Sequence, residues 1–343
     1  MSIEPLDALR RIAFLLERSR AGTYRVKAFR QAADTVIRTP RDDLEQRAQA
    51  GTLTELPGIG PSTEKVIRES LAGDVPDYLT TLEEKAGGPL AEGGEEIRAA
   101  LRGDCHCHSD WSDGGSPVPE MVATAMDLGH DYLVLTDHSP HLKVAHGLTA
   151  QRLGRQLDLI DTINAHVDGG FRLLKGIEAD ILEDGSIDQS EAMLARLDLR
   201  VASVHSRLRA SRSAMTRRML TAIESPWTNV LGHCTGRLIE GARGTRPPSE
   251  FDSAAVFAAC AEHDVAVEIN SRPERRDPPD ELLAEAIAAG CLFSIDSDAH
   301  APGQLDFVQI GCARAQQHGI PPERIINTWP ADRLLEWAGS HAE

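Results

Sequence analysis

Histidine and acidic residues recur in short clusters along the second part of the sequence. His106 and His108 stand in DCHCHSDWSDGG, and Asp298 and His300 stand in SDAH. Because residues i and i+2 of an extended segment point the same way, both members of each pair can reach one ion. Residues of the same types stand in SDGG, TDHS, GIEADI, SVHS and GHCTGR, namely Asp113, Asp137, His138, Glu178, His205 and His233. The pattern is typical of a metal site.

The number of these residues indicates more than one ion. Six imidazoles with three or four carboxylates exceed the roughly four ligands of a single zinc. Mixed nitrogen and oxygen donors suit zinc, manganese or iron(II), and they fit magnesium or calcium poorly. Several ions facing a phosphate would make hydroxide near neutral pH and neutralise the phosphate oxygens. The clusters therefore predict a site that holds several metal ions.

Neighbouring residues allow simpler interpretations. Cys105 and Cys107 alternate to the opposite face of their segment, where we expect buried apolar side chains. His141 and His146 follow the TDHS motif, and they either line the mouth of the site or are ordinary surface histidines.

A parallel barrel would bring the clusters together. From about residue 102, short apolar runs alternate with longer amphipathic segments. Seven such β-then-α units favour a parallel sheet, and this length favours a closed barrel. The predicted strands are Arg102–His106, Tyr132–Thr136, Arg172–Glu178, Leu199–Val204, Asn229–Gly232, Ala266–Asn270 and Leu292–Asp296. Each carries a clustered residue at its end or in the next loop, where barrels gather their chemistry.

The first 86 residues have a different texture. Apolar residues recur at helical spacing and no strand-like alternation occurs, so we expect a small all-α domain. A Gly-rich stretch follows. We therefore predict a helical domain at 1–86, a linker at 87–101 and a barrel domain at 102–343.

Residues 53–69, LTELPGIGPSTEKVIRE, predict a helix-hairpin-helix. Gly58 and Gly60 permit a tight turn, and a helix begins near Pro61. The free N–H groups of its first turn, around Ser62 and Lys65, would suit a nucleic-acid phosphate without reading a base. The alternative is an ordinary helical hairpin with a glycine turn.

Composition limits the class of protein. The 343 residues carry a net charge of −17, with −1 on residues 1–86, −16 on the remainder and +5 within 10–47. The basic segment could face phosphates, or it could be an ordinary solvated helix face. No apolar run is long enough to span a membrane, and the first residues do not form a secretory signal. Six cysteines are too few for a disulfide scaffold, so we expect a cytoplasmic protein, with a monomer favoured.

The barrel motifs resemble the PHP family, the polymerase and histidinol phosphatase domain, over about residues 102–318. The resemblance implies a distorted seven-stranded (β/α) barrel and two or three divalent ions, Zn²⁺, Mn²⁺ or Fe²⁺. It also implies ligand sets of His106, His108, Glu178 and Asp298 for the first ion, Glu178, His205 and His233 for the second, and Asp113, His138 and His300 for the third. Relatives often have Pro where this chain has Cys234.

Further residues of the barrel suggest roles around the substrate. Arg237 in TGR and Arg275 in EINSRPERRD resemble phosphate-binding residues, since guanidinium matches phosphate. The alternative for both is a surface ion pair. Asn270 could orient the substrate, and Asp137 could support a ligating histidine.

Residues 1–86 resemble the small N-terminal domain of X-family DNA polymerases, and TYRVKAFRQAADTV matches its earlier helix. The resemblance places Arg25, Lys27 and Arg30 on the DNA-binding side. Fewer than 20 residues separate this module from the barrel, so the polymerase core is missing there and polymerisation is not expected. The lysine used for lyase chemistry in some relatives falls on Val66.

These observations favour a metal-dependent DNA phosphoesterase of DNA repair. We expect a 3′-to-5′ exonuclease or a 3′-end-processing activity, including abasic sites, with sequence-independent contacts to the DNA backbone. A small-molecule phosphatase resembling histidinol-phosphate phosphatase is the main alternative. A non-catalytic nucleic-acid scaffold is a third, and the complete ligand set counts against it.

Overall fold

The computed structural model describes residues 3–241 and 244–341. The chain divides into two compact units, Met1–Pro89 and Leu90–Glu343. The division lies within the stretch predicted as a linker. A short helix in that stretch, Glu95–Ala100, belongs to the second unit.

The first unit is built from five helices and has its own core. The helices are α1 (Pro5–Arg18), α2 (Thr23–Arg38), α3 (Arg41–Ala50), α4 (Pro61–Leu71) and α5 (Asp77–Ala86). Leu9, Ile12 and Leu16 line one face of α1, where the helical repeat places them together, and they are buried with Phe29 and Ile67. Their burial supplies the hydrophobic stabilisation of this small unit.

The second unit is a seven-stranded parallel barrel in which each strand pairs with the next along the chain. The strands are β1 (Gly103–Cys107), β2 (Tyr132–Leu135), β3 (Arg172–Asp180), β4 (Leu199–Ser203), β5 (Val230–Leu231), β6 (Ala266–Asn270) and β7 (Phe293–Asp296). The helices are α6 (Glu95–Ala100), α7 (Val118–Asp127), α8 (Ala150–Asn164), α9 (Glu191–Leu194), α10 (Arg212–Ile223), α11 (Ser253–Glu262), α12 (Asp280–Ala288), α13 (Val308–Gln317) and α14 (Ala331–Ser340). This confirms the predicted fold class.

Side chains join the first and last strands where no regular ladder forms. The Cys105 N–H donates to Oδ1 of Asp296 (2.9 Å), and the Ser297 N–H donates to Asp104 (3.3 Å). Both carboxylates are fully buried, and this burial, together with repulsion from Asp296, raises the pKa of Asp104 to about 8. The pair therefore keeps a proton near neutral pH.

Asn327 completes this closure from a short 3₁₀ turn, Ile326–Thr328. Its Oδ1 accepts from the Ile295 N–H (2.7 Å), and its Nδ2 donates to the Ile295 carbonyl (3.0 Å). Its backbone carbonyl accepts from the Arg102 N–H (2.8 Å). Asn327 thus satisfies backbone groups on both sides of the seam, which an open strand edge would leave unpaired.

Among the described residues, no helix has the length and apolar character needed to cross a membrane.

Candidate metal centre

The predicted ligands converge at the C-terminal ends of the barrel strands. Three overlapping groups have ligand atoms within 4.8 Å of one another. The groups are His106, His108 and Asp298; His138, Glu178 and His205; and His108, Asp113, His138 and His300. These residues are up to 194 positions apart in the sequence. They meet because all the parallel strands end at the same side of the barrel.

Glu178 is the centre of the cluster. It lies in β3 and is buried. Its Oε1 lies 2.9 Å from Nε2 of His233 and 3.2 Å from Nε2 of His205. Its Oε2 lies 2.8 Å from Nδ1 of His138 and 3.4 Å from Nε2 of His106. One carboxylate facing histidines on both oxygens has the arrangement of a group that bridges two ions.

The paired histidines at the end of β1, His106 and His108, have a geometry that fits a shared cation. Nε2 of His106 lies 3.2 Å from Nε2 of His108, which itself lies 3.5 Å from Oδ1 of Asp298. Two neutral imidazoles cannot both present lone pairs at this distance without a proton or a metal ion between them. Buried nitrogen and oxygen donors at this density are the ligand chemistry of zinc, manganese and iron(II).

The third group lies at the rim of the mouth. Oδ1 of Asp113 lies 3.4 Å from Nε2 of His138 and 3.3 Å from Nε2 of His300. Asp113 is exposed, whereas His138 is buried. An ion held here would be the most accessible of the cluster to solvent and substrate.

Burial and neighbouring charges shift the pKa values of the clustered residues strongly. Burial alone would raise the pKa of Glu178, but the surrounding histidines, led by His205, hold it well below its usual range. Burial and the neighbouring histidines lower the pKa of His108 to about 3. Glu178 is therefore ionised and His108 is neutral, and these are the forms that bind metal ions.

Two carboxylates that we did not single out from the sequence orient the ligands. Oε1 of Glu268 lies 2.6 Å from Nδ1 of His106, and Glu268 also accepts from the His233 N–H. Asp180 contacts Nδ1 of His205 in the same way. Both leave the opposite ring nitrogen, Nε2, to face Glu178. Carboxylates behind metal-ligating histidines fix the tautomer and raise ligand basicity.

Asp137 supports a loop and contacts no ligating histidine among the described residues. It accepts from the Ser109 N–H (2.9 Å), the Ser112 hydroxyl and Nε2 of Gln156 (2.6 Å). The segment that it anchors leads to Asp113. The structure thus differs from the predicted role, because the side chain turns toward the 109–112 turn.

The two predicted phosphate-binding arginines have different surroundings. Nε of Arg275 lies 3.2 Å from Oδ2 of Asp298, so this guanidinium reaches the cluster. Arg237 instead donates to the backbone carbonyls of Arg275 (3.0 Å) and Arg276. These bonds orient Arg237 toward the loop that carries Arg275. Arg272 was not predicted, yet its Nη1 lies 2.9 Å from Nδ1 of His300.

Backbone strain coincides with the ligands. His233 has a φ of 20° and Asp298 a φ of 50°, both in the region that favours glycine. Neither residue is glycine, so the surrounding contacts must hold these conformations. Strain of this kind concentrates at functional sites.

The hairpin of the first unit has the predicted turn. Gly58 has a φ of 80°, and a Cβ there would lie 3.3 Å from Cβ of Gln31. Gly60 is the N-cap of α4, and its N–H donates to the Thr63 hydroxyl (2.9 Å). Ser62 follows in the first turn of α4 and is exposed. The N-terminus of α4 is therefore accessible to an anion.

The predicted basic residues of this unit differ in accessibility. Arg25 and Lys27 are exposed. Lys65 is also exposed, but its Nζ lies 3.0 Å from Asp77. Arg30 forms a two-point ion pair with buried Glu17, at 2.8 and 2.7 Å. The structure thus gives Arg30 a role inside the helical unit, because its guanidinium is engaged by Glu17.

Buried imidazoles and carboxylates gathered over one end of a parallel barrel are the machinery of a metal-dependent hydrolase. The PHP domain family matches residues 104–272, and a helix-hairpin-helix domain family matches residues 3–75. The chain belongs to the PHP family of phosphoesterases, which confirms the resemblance seen in the motifs.

Three proteins illustrate the range of similarity. The chain is 37% identical over 227 residues to "DNA polymerase/3′-5′ exonuclease PolX" of Bacillus subtilis, covering 66% of this chain and 39% of that protein. It is 30% identical over 251 residues to "Probable phosphatase YcdX" of Escherichia coli K12, covering 69% of this chain and 94% of that protein. A structure of histidinol phosphate phosphatase from Lactococcus lactis, complexed with zinc, L-histidinol and phosphate, matches at 18% identity and a TM-score of 0.45. The match covers 64% of this chain and 95% of that one.

Proposed function

We propose that the protein is a metal-dependent DNA phosphoesterase that acts at 3′ ends in DNA repair, as a 3′-to-5′ exonuclease or an end-processing enzyme. The observation that carries this proposal is the presence, in one chain, of a PHP domain with a cluster of candidate metal ligands and of a helix-hairpin-helix domain. One similar protein carries a DNA activity in its name, "DNA polymerase/3′-5′ exonuclease PolX", and the chain spans about two fifths of its length. A DNA-binding module gives a barrel hydrolase access to a polymer substrate.

The ligand residues would hold two or three divalent ions, Zn²⁺, Mn²⁺ or Fe²⁺, which would supply an activated water and Lewis-acid stabilisation of phosphate. Glu178 keeps its carboxylate ionised at the centre of the cluster. Arg275 lies beside Asp298 and can donate to a non-bridging phosphate oxygen. Arg237 holds the backbone on which Arg275 is carried.

The helical unit would bind the DNA backbone without reading its sequence. The open first turn of α4 presents N–H groups beside exposed Ser62, and Lys65 lies one turn further on. A helix N-terminus carries partial positive charge and accepts a phosphate directly. Arg25 and Lys27 add exposed positive charge to the same unit.

A small-molecule phosphomonoesterase remains the second candidate. The observation that favours it is the match to the protein named probable phosphatase, of which this chain covers 94%. The same cluster can serve a monoester, because the chemistry at phosphorus is shared. The helical unit distinguishes the two candidates, since a metabolite enzyme has no need of it.

The test offers both substrate classes to the full chain. Purified protein with Mn²⁺ or Zn²⁺ is given 5′-labelled single-stranded and nicked DNA, beside histidinol phosphate. A descending ladder of DNA products supports the proposal. Phosphate released only from histidinol phosphate supports the second candidate, and DNA binding without turnover under either metal indicates a scaffold.

One substitution ties turnover to the cluster. His106→Ala removes a ligand and is expected to abolish hydrolysis while leaving DNA affinity within about twofold, since the helical unit is intact. His166→Ala is the matched control, because His166 is an exposed histidine elsewhere on the barrel unit. Full activity in the His106 variant would contradict the assignment of the cluster.

A further inference from the structure

The loop between residues 139 and 147, here named the mouth loop, follows the candidate ligand His138 and is closed by a hydrogen bond back to it. The Ser139 N–H donates to the Glu178 carbonyl (3.0 Å), and the Leu148 N–H donates to the His138 carbonyl (2.7 Å). The chain therefore leaves the cluster and returns to it within nine residues, in the manner of a compact Ω-loop. The two ends of this loop therefore lie beside the cluster.

The base of the mouth loop is held tightly. A Cβ at Gly147 would lie 1.8 Å from the Ser139 carbonyl oxygen, so the two ends of the loop approach as only glycine allows. Arg152 donates to the carbonyl of His146 (2.5 Å) and to that of Trp111, which belongs to the neighbouring loop. The loop is thus fixed to the barrel and to the segment before Asp113.

The far side of the mouth loop is tied to a second element. The His141 N–H donates to Oδ2 of Asp188 (2.6 Å). Together with the Arg152 bonds, this contact restrains both arms of the loop. The tip between them cannot fold inward without breaking these bonds.

The tip presents an apolar side chain between polar ones. Val144 is 88% exposed, compared with 42% for Ile239 and 38% for Met126, the other large apolar side chains exposed in the described part of the barrel unit. Lys143, His141 and His146 beside it are also exposed. The tip therefore combines one branched apolar group with donors that suit phosphate, on a barrel unit that is otherwise strongly acidic.

We propose that the mouth loop binds the strand end: Val144 packs against the face of the base on the terminal nucleotide, while Lys143 contacts a backbone phosphate. The inference rests on the proposed DNA phosphoesterase function. A nucleic-acid strand carries alternating apolar base faces and phosphates, which match the tip, and such contacts tolerate any sequence. A small phosphomonoester reaches the cluster but has no base to cover the tip.

The test compares two substrates within each variant. Val144→Asp is assayed on a single-stranded oligonucleotide and on bis(p-nitrophenyl) phosphate, with the same metal. The ratio of kcat/KM for the oligonucleotide to kcat/KM for the small diester is expected to fall at least tenfold, mainly through KM. Val144→Thr, which keeps the shape, is expected to recover most of the ratio. With an oligonucleotide whose terminal nucleotide is abasic, Val144→Asp is expected to lower this ratio by a smaller factor.

The control is Met126→Asp, which places the same charge at an exposed apolar position on α7, and it should keep the wild-type ratio. A wild-type ratio in Val144→Asp would overturn the inference, as would a loss shared equally by both substrates. If the wild-type protein cleaves the small diester and leaves every oligonucleotide intact, the proposed DNA function fails, and the inference fails with it. The two failures are thereby distinguishable.

Discussion

Glu268 supports two candidate metal ligands with a single side chain. One oxygen lies 2.6 Å from Nδ1 of His106, and the other accepts from the backbone N–H of His233. The carboxylate is fully buried in β6. Because His106 and His233 approach Glu178 from different strands, Glu268 fixes their relative positions.

Glu268→Gln is expected to lower the affinity for the bound metal about 10- to 100-fold, the usual effect of removing a carboxylate behind a ligating histidine. The amide keeps the shape but loses the charge that orients the imidazole. Competition with a chelator of known affinity measures the change. Glu250→Gln is the control, because Glu250 is exposed, and equal affinity in both variants would contradict the role assigned to Glu268.

His130 predicts a pH dependence of stability. It is buried with both ring nitrogens lacking a partner among the described residues, and burial, aided by Arg98, lowers its pKa to about 3. The unfolded chain takes up a proton near pH 6.5 while the folded chain stays neutral, so stability is present above that pH and falls on acidification. At pH 5 the free energy of unfolding is lower by about 2 kcal/mol.

Between pH 7 and pH 5, the free energy of unfolding of His130→Leu should therefore fall by about 2 kcal/mol less than that of the wild-type protein. Urea unfolding at the two pH values measures the difference, and effects of the metal ligands cancel in the comparison. His166→Leu is the control, because His166 is exposed, and its free energy of unfolding should decline as that of the wild-type protein does. Parallel declines for all three proteins would show that His130 is not a buried neutral group.

At the residue scale, sequence spacing identified the candidate ligands that the fold brings together, but not the carboxylates behind them. The pairs His106–His108 and Asp298–His300 stand out because a strand repeats every two residues. Glu268 and Asp180 depend on which strand lies beside which, and that information is absent from local spacing. The one signal available was a lone charge in the apolar run VAVEIN.

At the scale of elements, the first turn of α4 offers an electrostatic test. Ser62→Asp places a carboxylate where a helix N-terminus favours negative charge, so folding should not suffer. The same carboxylate would repel a DNA phosphate. We expect DNA affinity to fall about fivefold or more at low salt, with the effect shrinking as salt rises.

Fluorescence anisotropy with labelled DNA, and thermal unfolding of the same samples, separate the two effects. Ser62→Asn is the matched control, because it keeps the size without the charge. Unchanged binding by Ser62→Asp would remove α4 from the DNA interface.

Element boundaries followed from the sequence where apolar runs were clean. The range Ala266–Asn270 was predicted as observed. β5 has only two residues instead of the predicted four, and β3 runs on to Asp180. α14 was not predicted, since its apolar residues pack on β-strand side chains such as Val201 and Val230, a tertiary context that periodicity does not show.

At the scale of the whole molecule, the two compact units allow a division of labour. Residues 90–343 contain every ligand of the cluster, and residues 1–89 contain the hairpin. Expressed alone, residues 90–343 are expected to cleave bis(p-nitrophenyl) phosphate within about twofold of the full chain. Their KM for DNA should rise at least tenfold, about 1.4 kcal/mol of lost binding.

Steady-state kinetics on both substrates provide the measurement, and circular dichroism checks that the shortened chain is folded. An unchanged KM for DNA would mean that the helical unit takes no part in holding the substrate.

The seam at Asn327 constrains how the protein is made. β1 is translated long before β7, and the amide that joins them comes later still. Until translation passes codon 327, the edges of both strands keep unmet backbone groups, which invite association with other nascent chains. A premature stop just upstream would encode every metal ligand and still yield an unsealed, aggregation-prone polypeptide instead of a smaller enzyme.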